Sequence, residues 1–306
     1  MTITTTTPIQ STIEPPSASP RPRRSWASLR QAYDLALAGA LGGLFGLYLY
    51  VELVRTDSVY VRDALAGAIL GGSIGFFLNA WGPWRDGAWR KLARAVAWGT
   101  PAAALGGALG LVLGEVVIGV FQGGLLGRAA SWAVLGLGIG LGQGLADRSW
   151  QRLTFGLIGG GLGGFVGGLC FEALRVALGN RYDLSQALGI VILGGGLGLF
   201  LALVEQALRR AWVQIASGRQ EGRIYLLARP RCRLGLDERA EVGVFGDAAV
   251  EREHAEIERT SQGYMLRNLA KSGATKVNGV ACSSARVLND GDRIELGRTS
   301  LVFRRR

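Results

Sequence analysis

Histidine is nearly absent from this 306-residue chain: there is one, His254. That excludes most histidine-based triads and histidine-rich metal sites. Cysteine is scarce too, and Cys170, Cys232 and Cys282 show no metal or redox spacing, so they read as three reduced thiols and no metal is expected. Lysine is limited to Lys91, Lys271 and Lys276, and arginine supplies the rest of a net charge of +11. The cations lie at the ends of hydrophobic runs and across the C-terminal third, without a basic-aromatic stripe, which argues against a nucleic-acid partner. No nucleophile–base pair and no phosphate-cradling loop ahead of a helix appears, so neither an enzyme nor a cofactor is expected. The first residues lack the apolar core of a signal peptide. Residues 1–30, rich in Thr, Pro and Ser, read as a disordered tail.

What is abundant is glycine, at 48 residues, and a mean hydropathy of +0.25 accompanies it. Thirty-nine glycines fall within residues 31–220 and nine within 222–306, so the two regions are built differently. From Tyr33 to Leu208 the chain runs through apolar stretches at 33–54, 64–84, 96–120, 129–146, 153–174 and 184–208. Each is long enough to cross about 30 Å of hydrocarbon. None shows the polar stripe of a soluble helix. With the N-terminus inside, the inner segments carry thirteen basic residues and the outer segments five. This bias predicts a multi-pass cell-membrane protein with both termini in the cytoplasm.

Leu-Gly-Gly recurs at 41–43, 105–107 and 162–164, in the first, third and fifth spans. Trp89, Trp150 and Trp212 follow the second, fourth and sixth. The chain is therefore read as three helix-pair repeats of about 60 residues. Glycines four residues apart share a helix face and let backbones approach. In water each would cost about 1 kcal/mol relative to alanine, so packing must recover that cost. Glu115, several residues inside the third span, is the intramembrane polar candidate. Glu52 and Glu172 lie nearer the outer interface, and Glu172 can pair with Arg175. A channel or transporter regulated by the C-terminal domain is the alternative that the repeats and Glu115 motivate.

After a linker at 216–221, residues 222–306 change to short apolar stretches broken by turn signals such as Asn278-Gly279 and Asn289-Asp290-Gly291-Asp292, the pattern of an all-β sandwich. Within it Val250-Glu251-Arg252-Glu253-His254-Ala255-Glu256-Ile257, then Asn268-Leu269 with Thr275-Lys276-Val277-Asn278-Gly279, then Leu288 to Gly297 resemble the three ordered motifs of the forkhead-associated (FHA) family. The resemblance implies a β-sandwich whose loop face binds a phosphothreonine protein partner. It assigns to that face Gly235, Glu251, Arg252, Lys271, Ser272, Gly273, Thr275 and Asn278, with His254 bracing the loops. Several family ligands are replaced. Leu236 stands for the phosphate-binding arginine, Glu251 for the serine, and Gly273 and Ala274 for an asparagine and the following glycine. A carboxylate at a phosphate site opposes binding by about 1–4 kcal/mol at effective dielectrics of 80 to 20. The expected function is a membrane-anchored cytosolic interaction module, with phosphothreonine dependence, partner and oligomeric state left open.

Overall fold

A computed structural model describes residues 24–147, 150–179 and 182–306; most of the expected N-terminal tail lies outside these. Six helices come first: α1 (Arg24–Leu53), α2 (Val59–Asp86), α3 (Trp89–Val120), α4 (Gly124–Asp147), α5 (Trp150–Leu178) and α6 (Tyr182–Leu208). All six are long and apolar enough to cross a membrane. Each packs on its sequence neighbours, and α6 returns to α1, so the bundle closes into a ring. Its centre is filled by Leu70, Ile74 and Leu78 of α2, Leu135 and Ile139 of α4, and Leu193 and Leu197 of α6.

The repeated glycine doublets explain how six helices close so tightly. The first glycine of each faces the second helix of its own pair: Gly42 meets Ile74, Gly106 meets Gly138, and Gly163 meets Leu197. The second faces the preceding pair: Gly43 meets Ile190, Gly107 meets Gly67, and Gly164 meets Trp132. A Cβ placed at Gly42 or Gly163 would lie 2.7 Å from the Cα of Ile74 or Leu197. Any side chain there pushes the helices apart. The three pairs thus use one contact rule, and Gly43 against Ile190 closes the ring.

The expected Glu172–Arg175 pair forms, but the burial of the glutamates differs from the sequence reading. Glu115 is exposed on the outer surface of α3. Glu172 is the buried one, at 4% exposure, and its carboxylate pairs with Arg175 at 2.9 Å and with Arg128 of α4 at 3.9 Å. Hydropathy gives depth in a span but not direction around it, because Gly, Ala and Leu surround these helices on all sides. Asn79 turns its amide onto the Gly75 carbonyl one turn back, at 2.7 Å.

The sandwich starts earlier than 222, and 216–221 is not a bare linker. Strand β1 (Ala211–Ile215) follows α6 after only Arg209 and Arg210. It pairs antiparallel with β11 (Thr299–Arg305), and Val213 and Ile215 enter the core. Arg209 lies over the Trp212 ring at 4.2 Å, and the Arg306 N–H donates to the Arg210 carbonyl at 2.9 Å, so the last residue closes back on the junction. One sheet has six strands: β2 (Ile224–Leu226), β1, β11, β10 (Arg293–Leu296), β7 (Thr275–Val277) and β8 (Val280–Ala281). The other has five: β4 (Val242–Gly243), β3 (Arg231–Gly235), β5 (Ala255–Thr260), β6 (Gly263–Asn268) and β9 (Arg286–Leu288). Alternating residues such as Leu234, Ile257, Leu266, Ile294, Leu301 and Phe303 fill the space between the sheets. Asn278 and Gly279, at φ 53° and 80°, make the tight β7–β8 turn that their sequence announces.

Candidate functional site

The loop face is built on His254. Its ring is fully buried, and Nδ1 accepts the Glu251 N–H at 3.0 Å. Its own N–H donates to the Leu234 carbonyl, and its carbonyl accepts the N–H groups of Leu269 and Ala270. One residue thus ties the end of β3, the 250–254 turn and the start of the 269–274 loop. Burial lowers its pKa, with the charges of Glu251 and Asp247 opposing, so the imidazole is held neutral as an acceptor at Nδ1.

Glu251 closes the arrangement. Its carboxylate accepts the Lys271 N–H at 3.1 Å, the Ser272 N–H at 2.8 Å and the Ser272 hydroxyl at 2.8 Å. The Ser272 backbone, then the Lys271 backbone, then the Ser272 hydroxyl hold its pKa at about 2. Three donors converging on one anion form the kind of nest that takes a carboxylate or a phosphate oxygen. Here the anion is the chain's own. Leu236, at the place of the expected cation, packs partly buried against the sandwich core.

The structure separates the expected site residues into two groups. Glu251, Arg252, Lys271, Ser272 and Gly273 reach the surface together. Arg252, Lys271 and Glu251 line a shallow depression of about 510 Å³ with Asp237, Glu253 and Leu269. Gly235 and Thr275 are buried braces, and Asn278 braces the β7–β8 turn at the surface. Gly235 lies against the backbone of Glu251 and Arg252, where a Cβ has no room. Thr275 is fully buried, and its hydroxyl donates to the Asn268 side chain at 2.7 Å. Asn278 bonds Asp292 and the Arg293 N–H at 2.9 and 2.8 Å. Gly273 covers the imidazole, and a Cβ there would stand 2.7 Å from His254 Cε1. Asp247 was not singled out in the sequence. It accepts the Ala249 and Arg298 N–H groups at 3.0 and 2.7 Å and the Thr299 hydroxyl at 3.0 Å, pinning the loop before the motif turn to the final hairpin.

Residues 214–306 match the family model described as the inner membrane component of T3SS, cytoplasmic domain. The C-terminal domain is FHA-like. Solved structures similar to it include an FHA domain studied for phosphothreonine-dependent interactions, 29% identical over 32% of this chain and 97% of its own, at a TM-score of 0.29. Another is the FhaA FHA domain, complexed with the intracellular domain of Rv3910, 30% identical over 31% and 99%, at 0.28. The cytoplasmic domain of the T3SS sorting platform protein PscD from P. aeruginosa is 22% identical over 31% and 80%, at 0.29. No curated protein matches the chain. These likenesses cover the FHA-like domain and leave the helical bundle outside.

Proposed function

We propose that this protein is a membrane-anchored docking module whose FHA-like domain holds a cytosolic protein partner without requiring phosphothreonine. The observation that carries the reading is the Glu251 carboxylate occupying the three donors of Lys271 and Ser272. A phosphate approaching them would displace a bound carboxylate and meet its charge, with Leu236 in place of a compensating cation. The loops are thereby held in one shape without a ligand, which lowers the ordering cost of binding a partner. The exposed face offers Arg252, Lys271, Glu253 and the half-exposed Leu269, a mixed surface suited to a protein.

FHA domains and the matched membrane-component family are interaction modules, which supports docking over catalysis. The description of that family supports a multi-protein assembly at the membrane as the setting. The basic bias of the inner segments supports placing both termini and the domain in the cytoplasm. The channel alternative keeps the repeat but loses support from Glu115, which faces outward, and the apolar side chains of α2, α4 and α6 fill the bundle centre.

The test is a library of paired phosphothreonine and threonine peptides presented to the full-length protein in lipid nanodiscs. The wild type should bind no phosphorylated peptide better than its unmodified twin. Glu251→Ser, which vacates the donors, should gain a phosphate preference. Strong phosphothreonine-dependent binding by the wild type would overturn the reading.

A further inference from the structure

Between the helix ends and the FHA-like domain lies a cleft of about 830 Å³. The ends of α1, α2, α3, α5 and α6 form one wall, and the β1–β2 loop, β2 and the 238–241 turn the other. Nine basic and six acidic residues line it. Five of the six acids are engaged, Asp34 with Arg85, Asp86 with Arg223, Glu241 with Arg229, Glu205 with Gln31, and Glu238 with the Arg90 N–H, and the sixth, Glu221, is exposed at the cleft edge. Arg30 and Arg94 from the bundle, and Arg219 and Arg239 from the domain, line the cleft with exposed guanidinium groups that have no ion pair among the described residues.

The local field is positive: Arg223, although paired with Asp86, has its pKa lowered, first by burial, with Tyr225 opposing, and further by the charges of Arg85 and Arg30. Leu35, Leu78 and Trp98 give the bundle side an apolar wall.

We propose that this cleft binds the phosphate headgroup of an anionic phospholipid, with the four arginines around the phosphate and an acyl chain along the apolar wall. A soluble anion would satisfy the arginines but has no use for Leu35, Leu78 and Trp98. A zwitterionic headgroup brings its own cation and gains less. The lipid would lie across the junction and hold the FHA-like domain against the bundle. Each juxtamembrane cation contributes about fivefold to affinity for an anionic surface.

The experiment is native mass spectrometry of the full-length protein after exchange with phosphatidylglycerol, phosphatidylcholine or inorganic phosphate. The expected result is retention of phosphatidylglycerol over phosphatidylcholine, falling at least tenfold in Arg30→Gln/Arg94→Gln/Arg219→Gln/Arg239→Gln. The pair Arg259→Gln/Arg298→Gln, which removes two exposed cations of the domain outside the cleft, should retain lipid as the wild type does. If the fourfold variant does not fold, Arg94→Gln/Arg239→Gln, one cation from each wall, gives the same readout. Equal retention of the two lipids, an unchanged cleft variant, or full displacement of lipid by millimolar phosphate would overturn the proposal.

Discussion

Glu251 and His254 act as one unit. The glutamate N–H needs the imidazole acceptor, and the glutamate carboxylate needs the loop that His254 holds in place. His254→Ala leaves the Glu251 N–H unpartnered beneath the loop and should cost about 1–3 kcal/mol in thermal unfolding. Gly273→Asn, which would bring the residue closer to the family pattern, should also destabilise, by about 1–3 kcal/mol, because its Cβ meets the His254 ring. The pH dependence of Glu251 follows from the sign of its shift. An ordinary glutamate titrates near 4.5 and this one at about 2. Its contribution is therefore complete above about 4.5 and is lost as pH falls toward 2. Thermal melts of the wild type and Glu251→Gln should converge on acidification through that window and separate above it. The sequence showed a carboxylate where the family has a hydroxyl, which was enough to question phosphate binding. That the same carboxylate caps residues twenty positions away was not legible, because loop contacts are set by folding of both sheets.

At the scale of elements the six helices were legible, since apolar runs of that length have few alternatives and the Leu-Gly-Gly period marked the pairs. Strand β1 was not. Its five residues follow an apolar helix after two arginines, so Ala211–Ile215 reads locally as a helix tail, and its central place in the sheet needs β2 on one edge and β11, from the far end of the chain, on the other. Glu115 and Glu172 show the same limit for helices that are apolar all round: the sequence fixes height but not azimuth. The doublet rule makes a sharp prediction. Gly106→Val and Gly163→Val each force a side chain into the opposing backbone and should lower stability by about 1–3 kcal/mol in detergent unfolding. Gly82→Ala, inside α2 with nothing within 4 Å, should be neutral or gain up to about 1 kcal/mol. Equal losses at all three positions would mean that the doublets are not the closure device.

The whole molecule joins a closed membrane bundle to an FHA-like domain through a two-residue junction, with the Arg223–Asp86 ion pair and the Arg90 N–H bond to Glu238 across the seam. Such a junction fixes the loop face relative to the bilayer and leaves little freedom for the domain to swing. Inserting a flexible Gly-Ser segment after Arg210 should therefore split one thermal transition into two, read by tryptophan fluorescence for the bundle and by loss of the β-sheet signal for the domain. The account stands or falls on which side of the membrane the domain occupies. Protease applied to sealed inside-out and right-side-out vesicles carrying the full chain decides it. The account predicts that the C-terminal domain is trimmed from the inside-out vesicles alone; trimming from right-side-out vesicles, or recovery of the intact chain in the supernatant after detergent-free sedimentation, would contradict it.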